Sequence, residues 1–404
     1  MPERLIIVGG GQAAAQAVQS LRQQNFAGSI TLIGEEPFLP YQRPPLSKKY
    51  LAGELPRERL YLRPASFYAD KHVELELGAR VAEVDADRRV VRLTDGRKRD
   101  YDWLLLATGS RPRRLDLPGA ELGGVHYLRS IADADAISAA LTPSAHIVLI
   151  GAGYIGLETA AVLRQRGLRV TVLEGADRVM SRVVCPAVSA YYHRRHTDAG
   201  VDIRYGIDVR AFNGAERVES IDVAGTSLLC DLVIVGVGVV PNTELASRAG
   251  LACDNGIVVD EFARTADARA LAAGDCTNSL HPLLGRRARL ESVQNAVHQA
   301  KVAAASICGV PSAYSEVPWF WSDQYDVKLQ IAGLSQGYDE VVIRGDPNAG
   351  SFTAYYLAGT RLLALDAINS PRDFMHAKKL IASGTRITAD ELRDPSTDVN
   401  ALAG

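Results

Sequence analysis

AHIVLIGAGYIGLETAAVLRQRGLRVTVLE, residues Ala145 to Glu174, is the stretch that decides the fold. Its first apolar run predicts a buried strand, a helical pattern follows the glycines, and a second apolar run closes the unit. The glycines fit the pattern G-x-G-x-x-G, in which each glycine has its own physical task. Gly151 permits the tight turn, Gly153 lets the backbone approach a pyrophosphate, and Gly156 brings helix and strand close together. The stretch therefore predicts a βαβ unit that binds a dinucleotide.

The acid at the end of this unit favours one kind of dinucleotide. The phosphates are expected at the N-terminus of the helix, where free N–H groups and the helix dipole favour negative charge. Glu174 lies about 20 residues past the glycines, where a carboxylate can accept a hydrogen bond from a ribose 2′-hydroxyl. Because a carboxylate repels a 2′-phosphate, we expect NADH rather than NADPH.

A second copy of the unit opens the chain. Its pattern is G-x-G-x-x-A, formed by Gly9, Gly11 and Ala14, and the last position needs only a small side chain. Glu35 is the predicted ribose ligand, with Glu36 as a weaker alternative. The predicted elements are strands Leu5–Val8 and Ile30–Ile33 and the helix Ala15–Gln24. Two complete nucleotide sites imply two dinucleotides. If one is NADH, the other is most economically FAD, since a tightly held flavin accepts a hydride.

The composition is that of an ordinary globular chain. Its 404 residues are 47% hydrophobic and 23% charged, enough for two or three domains, and the net charge of −2 argues against a nucleic-acid-binding protein. The five cysteines are scattered without a C-x-x-C pair, so we expect neither a disulfide framework nor a metal or iron–sulfur site. No apolar stretch approaches the ~20 residues that span a bilayer, and the apolar run at the start is too short for a signal peptide. We expect a cytoplasmic protein that does not bind membranes.

A segment just past the first unit carries a family resemblance. Pro40 to Lys48, PYQRPPLSK, is similar to the (Y/H)-x-x-PPLSK signature of the oxygenase-coupled NADH:ferredoxin reductases, within the glutathione-reductase fold superfamily. Other segments agree with that family in order and spacing: ATGS (107–110), LR (128–129), GVGVVPN (236–242), AGD (273–275), ESVQNA (291–296) and PWFWSDQ (318–324). The resemblance implies an α/β fold with two Rossmann-like nucleotide-binding domains of the glutathione-reductase type and a small C-terminal α/β domain.

The resemblance also implies a discontinuous domain order. The expected domains are FAD-binding (1–112 and 243–318), NADH-binding (113–242) and C-terminal (319–404). Cys230 to Asn242, CDLVIVGVGVVPN, predicts one buried strand whose glycines would let a nicotinamide approach the backbone. In the C-terminal domain, Lys328–Ile331 and Phe352–Leu357 are predicted strands.

Lys48 and Glu158 are the predicted catalytic pair. By its position alone, Lys48 is most simply a solvated surface lysine. The resemblance implies instead that it lies beside the flavin and pairs with a buried glutamate. Glu158 is the expected partner, because a carboxylate inside an apolar helix is costly unless a cation lies near it. We expect the pair to hold the nicotinamide against the isoalloxazine ring, which is a positioning role, since hydride transfer requires alignment.

Further cofactor contacts follow from the resemblance. The implied flavin contacts are Arg43, Val81, Thr108, Gly109, Arg129, Asp275, Val293 and Trp321. The implied NADH contacts beyond the glycines are Ile155, Arg182 and Gly238. Asp275 would bond a ribityl hydroxyl and could also cap a helix. The helix predicted over Ser292–Ala305 would direct its dipole at the flavin. Arg182 is expected to contact the pyrophosphate or adenosine end of NADH rather than a 2′-phosphate.

One absence separates this chain from thiol-dependent relatives. Disulfide reductases of this fold have C-x4-C just after the first nucleotide unit, and NADH peroxidases or oxidases have a single cysteine there. Glu36 to Tyr50 contains no cysteine, so thiol chemistry is not expected and the electron acceptor must be external. NADH delivers two electrons together, whereas a ferredoxin takes one at a time. A flavin is the cofactor that can connect these two stoichiometries.

We therefore expect a reductase that passes electrons from NADH through FAD to a [2Fe–2S] ferredoxin, which serves a cytochrome P450 or a ring-hydroxylating dioxygenase. Two alternatives stay open: an NADH oxidase that makes peroxide, and an NADH-sensing flavoprotein similar to apoptosis-inducing factor. Monomer and homodimer are both compatible with the sequence. Basic residues are expected to steer an acidic ferredoxin. The candidates are Arg57, Arg59, Arg63, Arg286, Arg287 and Arg289.

Overall fold

Both glycine patterns follow strands of parallel sheets, as the sequence predicts. The computed structural model describes residues 3–399. Its helices, in chain order, are α1 (Gln12–Gln23), α2 (Ala65–Asp70), α3 (Ile131–Ala140), α4 (Tyr154–Gln165), α5 (Pro186–Asp198), α6 (Glu244–Arg248), α7 (Val293–Ile307), α8 (Pro371–Ser383) and α9 (Ala389–Arg393). Short 3₁₀ helices cover Pro44–Ser47, Arg57–Leu60 and Pro282–Leu284. Within residues 3–399, no helix combines the length and the apolar character that crossing a bilayer requires.

The strands are named in the same way. In chain order they are β1 (Arg4–Val8), β2 (Ser29–Gly34), β3 (Val73–Leu77), β4 (Val81–Asp85), β5 (Val90–Leu93), β6 (Lys98–Asp100), β7 (Trp103–Leu106), β8 (Ser110–Pro112), β9 (Val125–Tyr127), β10 (His146–Ile150), β11 (Arg169–Leu173), β12 (Asp202–Arg204), β13 (Val209–Asn213), β14 (Ser220–Val223), β15 (Thr226–Leu229), β16 (Leu232–Val235), β17 (Val239–Pro241), β18 (Ile257–Val259), β19 (Ala270–Ala272), β20 (Thr277–His281), β21 (Arg286–Ala288), β22 (Trp319–Gln324), β23 (Val327–Gly333), β24 (Glu340–Asp346), β25 (Ser351–Ala358) and β26 (Arg361–Ile368).

The chain folds into two units, each made of several segments. Unit 1 contains the chain up to Gln42, Arg57–Arg111 and Val240–Pro318. Unit 2 contains Arg43–Pro56, Pro112–Val239 and the chain from Trp319 onward. The short segment that carries Lys48 therefore belongs to the unit that contains the second glycine pattern. The predicted boundaries of the three domains stay a prediction.

The main sheet of unit 1 has the strand order β19-β7-β1-β2-β3, and its strands are parallel. β1 lies between β7 and β2, so the strand order reverses at its carboxyl end, which is where such sheets bind ligands. Leu5, Ile7 and Leu32 are buried, as expected for parallel strands covered on both faces. The two predicted strands are confirmed. The helix begins earlier than predicted, at Gln12, because Gly11 already serves as its N-cap residue.

The main sheet of unit 2 repeats this arrangement with the order β12-β11-β10-β16-β9, again parallel. β10 lies between β11 and β16, and α4 follows it directly. Ile147, Leu149 and Val172 of the sheet lie in one hydrophobic core with Leu157 and Leu163 of α4. The strand order therefore reverses at the carboxyl end of β10, where the G-x-G-x-x-G pattern lies.

The C-terminal part of unit 2 is an antiparallel sheet with the order β22-β23-β26-β25-β24. The predicted strands Lys328–Ile331 and Phe352–Leu357 lie within β23 and β25 and are confirmed. Ala354 and Tyr356 of β25 share the hydrophobic core that also contains Leu157 of α4. The C-terminal sheet and the second nucleotide unit are thus packed around a common core.

The predicted single strand from Cys230 to Asn242 is wrong. β16 ends at Val235 and β17 begins at Val239, with Gly236 to Gly238 between them. Gly238 has a φ of +98°, which an extended strand does not use. The apolar run is therefore two short strands joined by a glycine turn, and the turn lies next to the end of β10, where the Gly236 amide donates to Ile150 O at 2.7 Å.

Candidate functional site

The first glycine turn fits a dinucleotide phosphate. Gly9 has a φ of +125°, and a Cβ on it would lie 2.1 Å from Ala107 O, so only glycine fits there. A Cβ on Gly11 would have no heavy atom within 4 Å. Gly11 caps α1 without any side-chain hydrogen bond, so the first amides of the helix remain available to an anion. An unobstructed helix N-terminus behind a glycine turn is what the pyrophosphate of FAD requires.

The second glycine turn has the same features in unit 2. A Cβ on Gly151 would lie 2.5 Å from Gly236 O, and one on Gly156 would lie 2.1 Å from Gly151 O. A Cβ on Gly153, by contrast, would have no heavy atom within 4 Å. α4 begins after Gly153 without a side-chain cap. Ile155, in the first turn of α4, is 43% exposed. The turn therefore fits the pyrophosphate of NADH, with Gly153 facing the open space.

The two inner glycines allow a matched test. Gly153→Ala should fold normally but weaken NADH binding about tenfold, because the methyl group occupies space that the phosphates need. Gly156→Ala should instead impair folding, because its methyl group meets the backbone carbonyl of Gly151. NADH titration and thermal unfolding of both variants measure these effects. If both variants lost affinity and stability to the same extent, Gly153 would not face the phosphate site and Gly156 would not be confined by the backbone of Gly151.

Glu174 is held by two backbone amides. Its carboxylate accepts hydrogen bonds from Ala152 N at 2.6 Å and from Ala176 N at 2.9 Å. One bond reaches across to the glycine turn, so the acid is fixed beside it. The side chain of Glu35 in unit 1 is instead 68% exposed, and its carboxylate lies 3.4 Å from Arg80. The ribose roles of both acids stay predictions.

The two arginines after Glu174 have different surroundings. Arg178 donates hydrogen bonds to Val184 O and Ser181 O, each at 2.8 Å, and so fixes the loop in which both arginines lie. Arg182 is exposed, and a Cβ on Gly238 would lie 3.8 Å from its Nη2. The structure therefore brings Arg182 and Gly238 together, as two predicted NADH contacts should be, while Arg178 has a structural role.

The predicted pairing of Lys48 with Glu158 is confirmed. Nζ of Lys48 lies 2.7 Å from Oε2 of Glu158, whose side chain is 1% exposed, whereas that of Lys48 is 17% exposed. The 3₁₀ helix Pro44–Ser47 has Lys48 as its C-cap residue and packs against α4. Two prolines at its start favour this short turn over a strand.

Two serines that were not predicted from the sequence complete the surroundings of Glu158. Ser47 Oγ donates to Oε2 and Ser322 Oγ donates to Oε1, each at 2.6 Å. Both serines are buried. A buried ion pair is tolerated only when further hydrogen bonds satisfy its remaining lone pairs. This requirement could have indicated that hydroxyl groups surround Glu158. Ser47 and Ser322 were available in the sequence, because they lie in the PPLSK and WFWSDQ segments that carry the family resemblance.

Three predicted flavin residues of unit 1, Thr108, Gly109 and Asp275, lie just past the carboxyl ends of β7 and β19. Thr108 and Asn242 exchange two hydrogen bonds, from Thr108 Oγ1 to Asn242 O at 2.7 Å and from Asn242 Nδ2 to Thr108 O at 2.8 Å. Gly109 has a φ of +64° and accepts the Asn242 amide at 2.9 Å. Asp275 accepts a hydrogen bond from Ser110 at 2.9 Å. Their contacts to FAD stay predictions.

The predicted capping role of Asp275 is wrong. The chain continues from Asp275 into β20 and not into a helix. The predicted helix that follows is confirmed as α7, and its cap is Ser292, whose side chain accepts a hydrogen bond from Asn295 N. Val293 is the first residue of α7. Val81 begins β4, and its side chain lies in the hydrophobic core of unit 1.

Three predicted flavin residues belong to unit 2. Arg43 donates a hydrogen bond to Arg129 O at 2.7 Å, so the structure brings these two together. Trp321 lies on β22, half-buried, with its ring centroid 5.6 Å from that of Trp319. The amide of Arg129 donates to Asp133, which belongs to the capping box of α3. The local backbone at Arg129 is thereby fixed.

A buried acid ties the loop of Arg182 to the C-terminal sheet. Tyr356 O–H donates to Asp366, and the same oxygen accepts the amide of Cys185 at 2.8 Å. Cys185 is the N-cap residue of α5 and ends the loop. Burial raises the pKa of Asp366 to about 7, far above its ordinary value of 3.8. The carboxyl group therefore keeps its proton in the folded protein at pH values where the unfolded chain has lost it.

Asp366→Asn should stabilise the fold at high pH. As pH rises from about 4 to 7, the unfolded chain loses the Asp366 proton first, so stability falls with pH by about 1.4 kcal/mol per unit. Asparagine keeps an acceptor for Tyr356 and removes this penalty, so the gain should reach about 2–4 kcal/mol at pH 8 and vanish near pH 4. Urea unfolding at pH 5 and 8 measures it, with the exposed Asp390→Asn as control. A gain independent of pH would contradict the raised pKa of Asp366.

Comparisons with known proteins agree with this geometry. Two family models match the chain: pyridine nucleotide-disulphide oxidoreductase over residues 3–300, and reductase C-terminal over residues 319–403. Rhodocoxin reductase of Rhodococcus erythropolis is 46% identical over 399 residues, which cover 98% of this chain and 93% of the relative. The ferredoxin–NAD(+) reductase component of the anthranilate 1,2-dioxygenase system of Burkholderia cepacia is 43% identical over 400 residues, 98% of each chain.

A solved structure extends the agreement to the fold. The chain superimposes on a chain of the covalent putidaredoxin reductase–putidaredoxin complex with a TM-score of 0.96 and 42% identity, covering 99% of this chain and 98% of the other. The family resemblance and the fold class predicted from the sequence are therefore confirmed. The chain belongs to the pyridine nucleotide-disulphide oxidoreductase family with a reductase C-terminal domain, and is an oxidoreductase that uses FAD and NADH.

Proposed function

We propose that the protein passes electrons from NADH through FAD to a [2Fe–2S] ferredoxin, which in turn serves a cytochrome P450 or a ring-hydroxylating dioxygenase. The observation that carries the proposal is the buried Lys48–Glu158 pair in a segment without cysteine. The pair offers a fixed cation, whereas a disulfide reductase would need sulfur in this segment.

The residues of the chain have distinct tasks in this proposal. The glycine turns bind the phosphates, Glu174 selects the ribose of NADH, and Lys48 aligns the nicotinamide because Glu158 fixes its ammonium group. The flavin, when bound, supplies the chemistry that converts a two-electron donor into a source of single electrons. None of these tasks needs a proton-transfer residue.

The thiols of unit 1 support an external acceptor. Cys253, Cys276 and Cys308 are the cysteines of this unit, and burial raises the pKa of all three. Cys276, next to Asp275, is fully buried. A thiol with a raised pKa is a poor nucleophile and a poor redox group. The electrons are therefore proposed to leave without passing through sulfur.

The names of the relatives support a ferredoxin as acceptor. The Burkholderia cepacia relative is named as a ferredoxin reductase component of a dioxygenase system, and the matching structure is a complex with putidaredoxin. Similarity over nearly the whole chain favours an acceptor of the same class. The oligomeric state and the cytoplasmic location stay predictions.

The arginines proposed for docking differ in the hydrogen bonds that they make. Arg287 donates to Val259 O at 2.8 Å and to Asn278 O at 3.0 Å, and Arg289 pairs with Glu291. Arg63 donates to Gln19 at 2.6 Å. Because Arg287 also supports the β20–β21 hairpin, its loss would disturb the backbone there. We therefore propose Arg286, which is exposed on the same hairpin and donates to Arg287 O at 3.4 Å, as the residue with which to test ferredoxin docking.

The test is reduction of cytochrome c by NADH with and without candidate ferredoxins. Strict dependence on a [2Fe–2S] ferredoxin is the expected result. Stopped-flow reoxidation of the reduced enzyme by oxygen and by ferredoxin separates the main alternative, because an NADH oxidase would react faster with oxygen. NADH-dependent oligomerisation with negligible turnover would instead indicate a sensor. Either result would reject the proposal.

A further inference from the structure

A line of hydrogen bonds leads away from the Lys48–Glu158 pair inside unit 2. Ser322 Oγ donates to Glu158 at 2.6 Å, and Gln324 Nε2 donates to Ser322 Oγ at 3.2 Å. Gln324 Oε1 lies 2.8 Å from Nε2 of His196, and Nδ1 of His196 lies 3.3 Å from the hydroxyl of Tyr325. Five residues on α4, β22, α5 and the β22–β23 turn thus form one continuous line, which we name the Tyr325–Glu158 relay.

The proton positions along the relay follow from its two ends. Glu158 beside Lys48 is an acceptor only, so Ser322 must donate to it and must accept from the amide nitrogen of Gln324. The remaining Gln324 oxygen can only accept, so Nε2 of His196 carries a hydrogen and Nδ1 accepts from Tyr325. Every donor therefore points in one direction, toward the Glu158 carboxylate.

The surroundings of the relay keep its members in these states. Ser322, Gln324 and His196 are at most 1% exposed. Burial lowers the pKa of His196 to about 4, so the ring is neutral at neutral pH. Burial raises the pKa of Tyr325 to about 12, so its hydroxyl keeps its hydrogen.

Charged and titratable groups lie next to the relay. Arg195 lies over the Tyr325 ring at 4.8 Å from its centroid, and pairs with Asp326 at 2.6 Å. Outside the relay itself, the titratable groups that interact with Glu158, His196 or Tyr325 include Lys48, Tyr154, Arg164, Tyr192, His193 and Arg195. Burial raises the pKa of Tyr154 and Tyr192 well above the ordinary value, so both stay uncharged. Lys48 is thus the counterion of Glu158, and the relay supplies dipoles.

We propose that His196 and Gln324 are remote positioning residues for the Lys48–Glu158 pair, and that the relay fixes the Glu158 carboxylate through a one-way series of dipoles. Aligned hydrogen bonds polarise one another in a low-dielectric interior, so the last bond, from Ser322 to Glu158, is strengthened by those behind it. Ser47 and Lys48 both contact Oε2, whereas the relay contacts Oε1. The relay therefore determines the rotation of the carboxylate and with it the place of the ammonium group.

The first test is spectroscopic and does not depend on turnover. The FAD-loaded oxidised protein is labelled with [¹⁵N]histidine, and the His196 signals are assigned from their absence in His196→Gln. The expected result is a neutral ring with hydrogen on Nε2, whose ¹⁵N shifts move in Glu158→Gln. His146 is the internal control, because it is buried and bonded to Thr171 at 2.9 Å, and no hydrogen bond within residues 3–399 joins it to Glu158. A hydrogen on Nδ1, or His196 signals that Glu158→Gln leaves unchanged, would overturn the proposal.

The second test is kinetic and rests on the proposed function. His196→Leu cuts the relay, and flavin reduction at saturating NADH should slow about fivefold, the effect of losing one hydrogen-bond contribution. The dissociation constant of NADH should change less than twofold, because the glycine turn is intact. His196→Gln can still donate to Gln324 and should restore most of the rate.

His146→Leu removes a different buried histidine and is the matched control. NADH should reduce the flavin of this variant at the wild-type rate. A positioning role for His196 would be rejected if His196→Gln did not restore the rate of flavin reduction. It would also be rejected if His146→Leu slowed flavin reduction as much as His196→Leu does. If NADH fails to reduce even the wild-type protein, the proposed function fails. The ¹⁵N spectra would still decide whether the relay exists.

Discussion

Lys48→Met is expected to slow flavin reduction by NADH by about a hundredfold, the scale of a misplacement of about 1 Å between reacting groups. The same change should lower the free energy of unfolding by about 3 kcal/mol, since removing one partner of a buried ion pair leaves an uncompensated charge. Glu158 is 1% exposed and cannot recover water when Lys48 is lost. Ser47 and Ser322 would still donate to it, which keeps the penalty at the lower end of the range for buried pairs.

A double variant separates the two effects. Adding Glu158→Gln to Lys48→Met removes the buried charge, so most of the lost stability should return, while reduction by NADH should stay slow. Lys49→Met is the matched control, since the neighbouring lysine is exposed and should change neither quantity. Urea unfolding and anaerobic stopped-flow reduction provide the measurements. If the double variant is as unstable as Lys48→Met, or if Lys49→Met is as slow, the pair does not act as described.

The parts of the fold that could be predicted are those that depend on residues close together in the sequence. The two glycine patterns lie next to apolar runs, so strand, turn and helix follow from neighbours in sequence. The pairing of Lys48 with Glu158 could also be anticipated, because a carboxylate inside an apolar helix demands a cation. Its partner is 110 residues away, and only the family resemblance indicated which lysine it is.

The parts that could not be predicted depend on distant register or on backbone conformation. Ser322 reaches Glu158 because β22 packs against α4. The sequence pattern does not indicate that these two distant elements are in contact. The break in the strand from Cys230 to Asn242 depends on the left-handed conformation of Gly238, whereas the apolar pattern around it is continuous. Asp275 is of a residue type that often caps helices. The chain after it nevertheless forms β20, which pairs with β18.

Glu174→Ala is expected to lower kcat/KM for NADH by about a hundredfold, equivalent to about 3 kcal/mol. The carboxylate accepts two backbone amides, and one of them, Ala152 N, belongs to the glycine turn. Its loss leaves those amides unpaired and loosens the turn, in addition to removing the proposed ribose ligand. Hydrogen bonds to charged groups contribute about 1.5–3 kcal/mol each, so this substitution should exceed the effect of any single neutral contact nearby.

The charge of Glu174 should also set the choice between NADH and NADPH. Without the carboxylate a 2′-phosphate is no longer repelled, and exposed Arg182 on the same loop offers a cation, so kcat/KM for NADPH should fall much less or rise. The NADH-to-NADPH ratio of kcat/KM is therefore expected to drop by about tenfold to a hundredfold, and by more if kcat/KM for NADPH rises. Glu35→Ala is the matched control: it alters the corresponding acid of unit 1 and should lower FAD content while leaving this ratio unchanged. A ratio that stays constant in Glu174→Ala would mean that the acid only braces the turn, and that the preference for NADH arises elsewhere in unit 2.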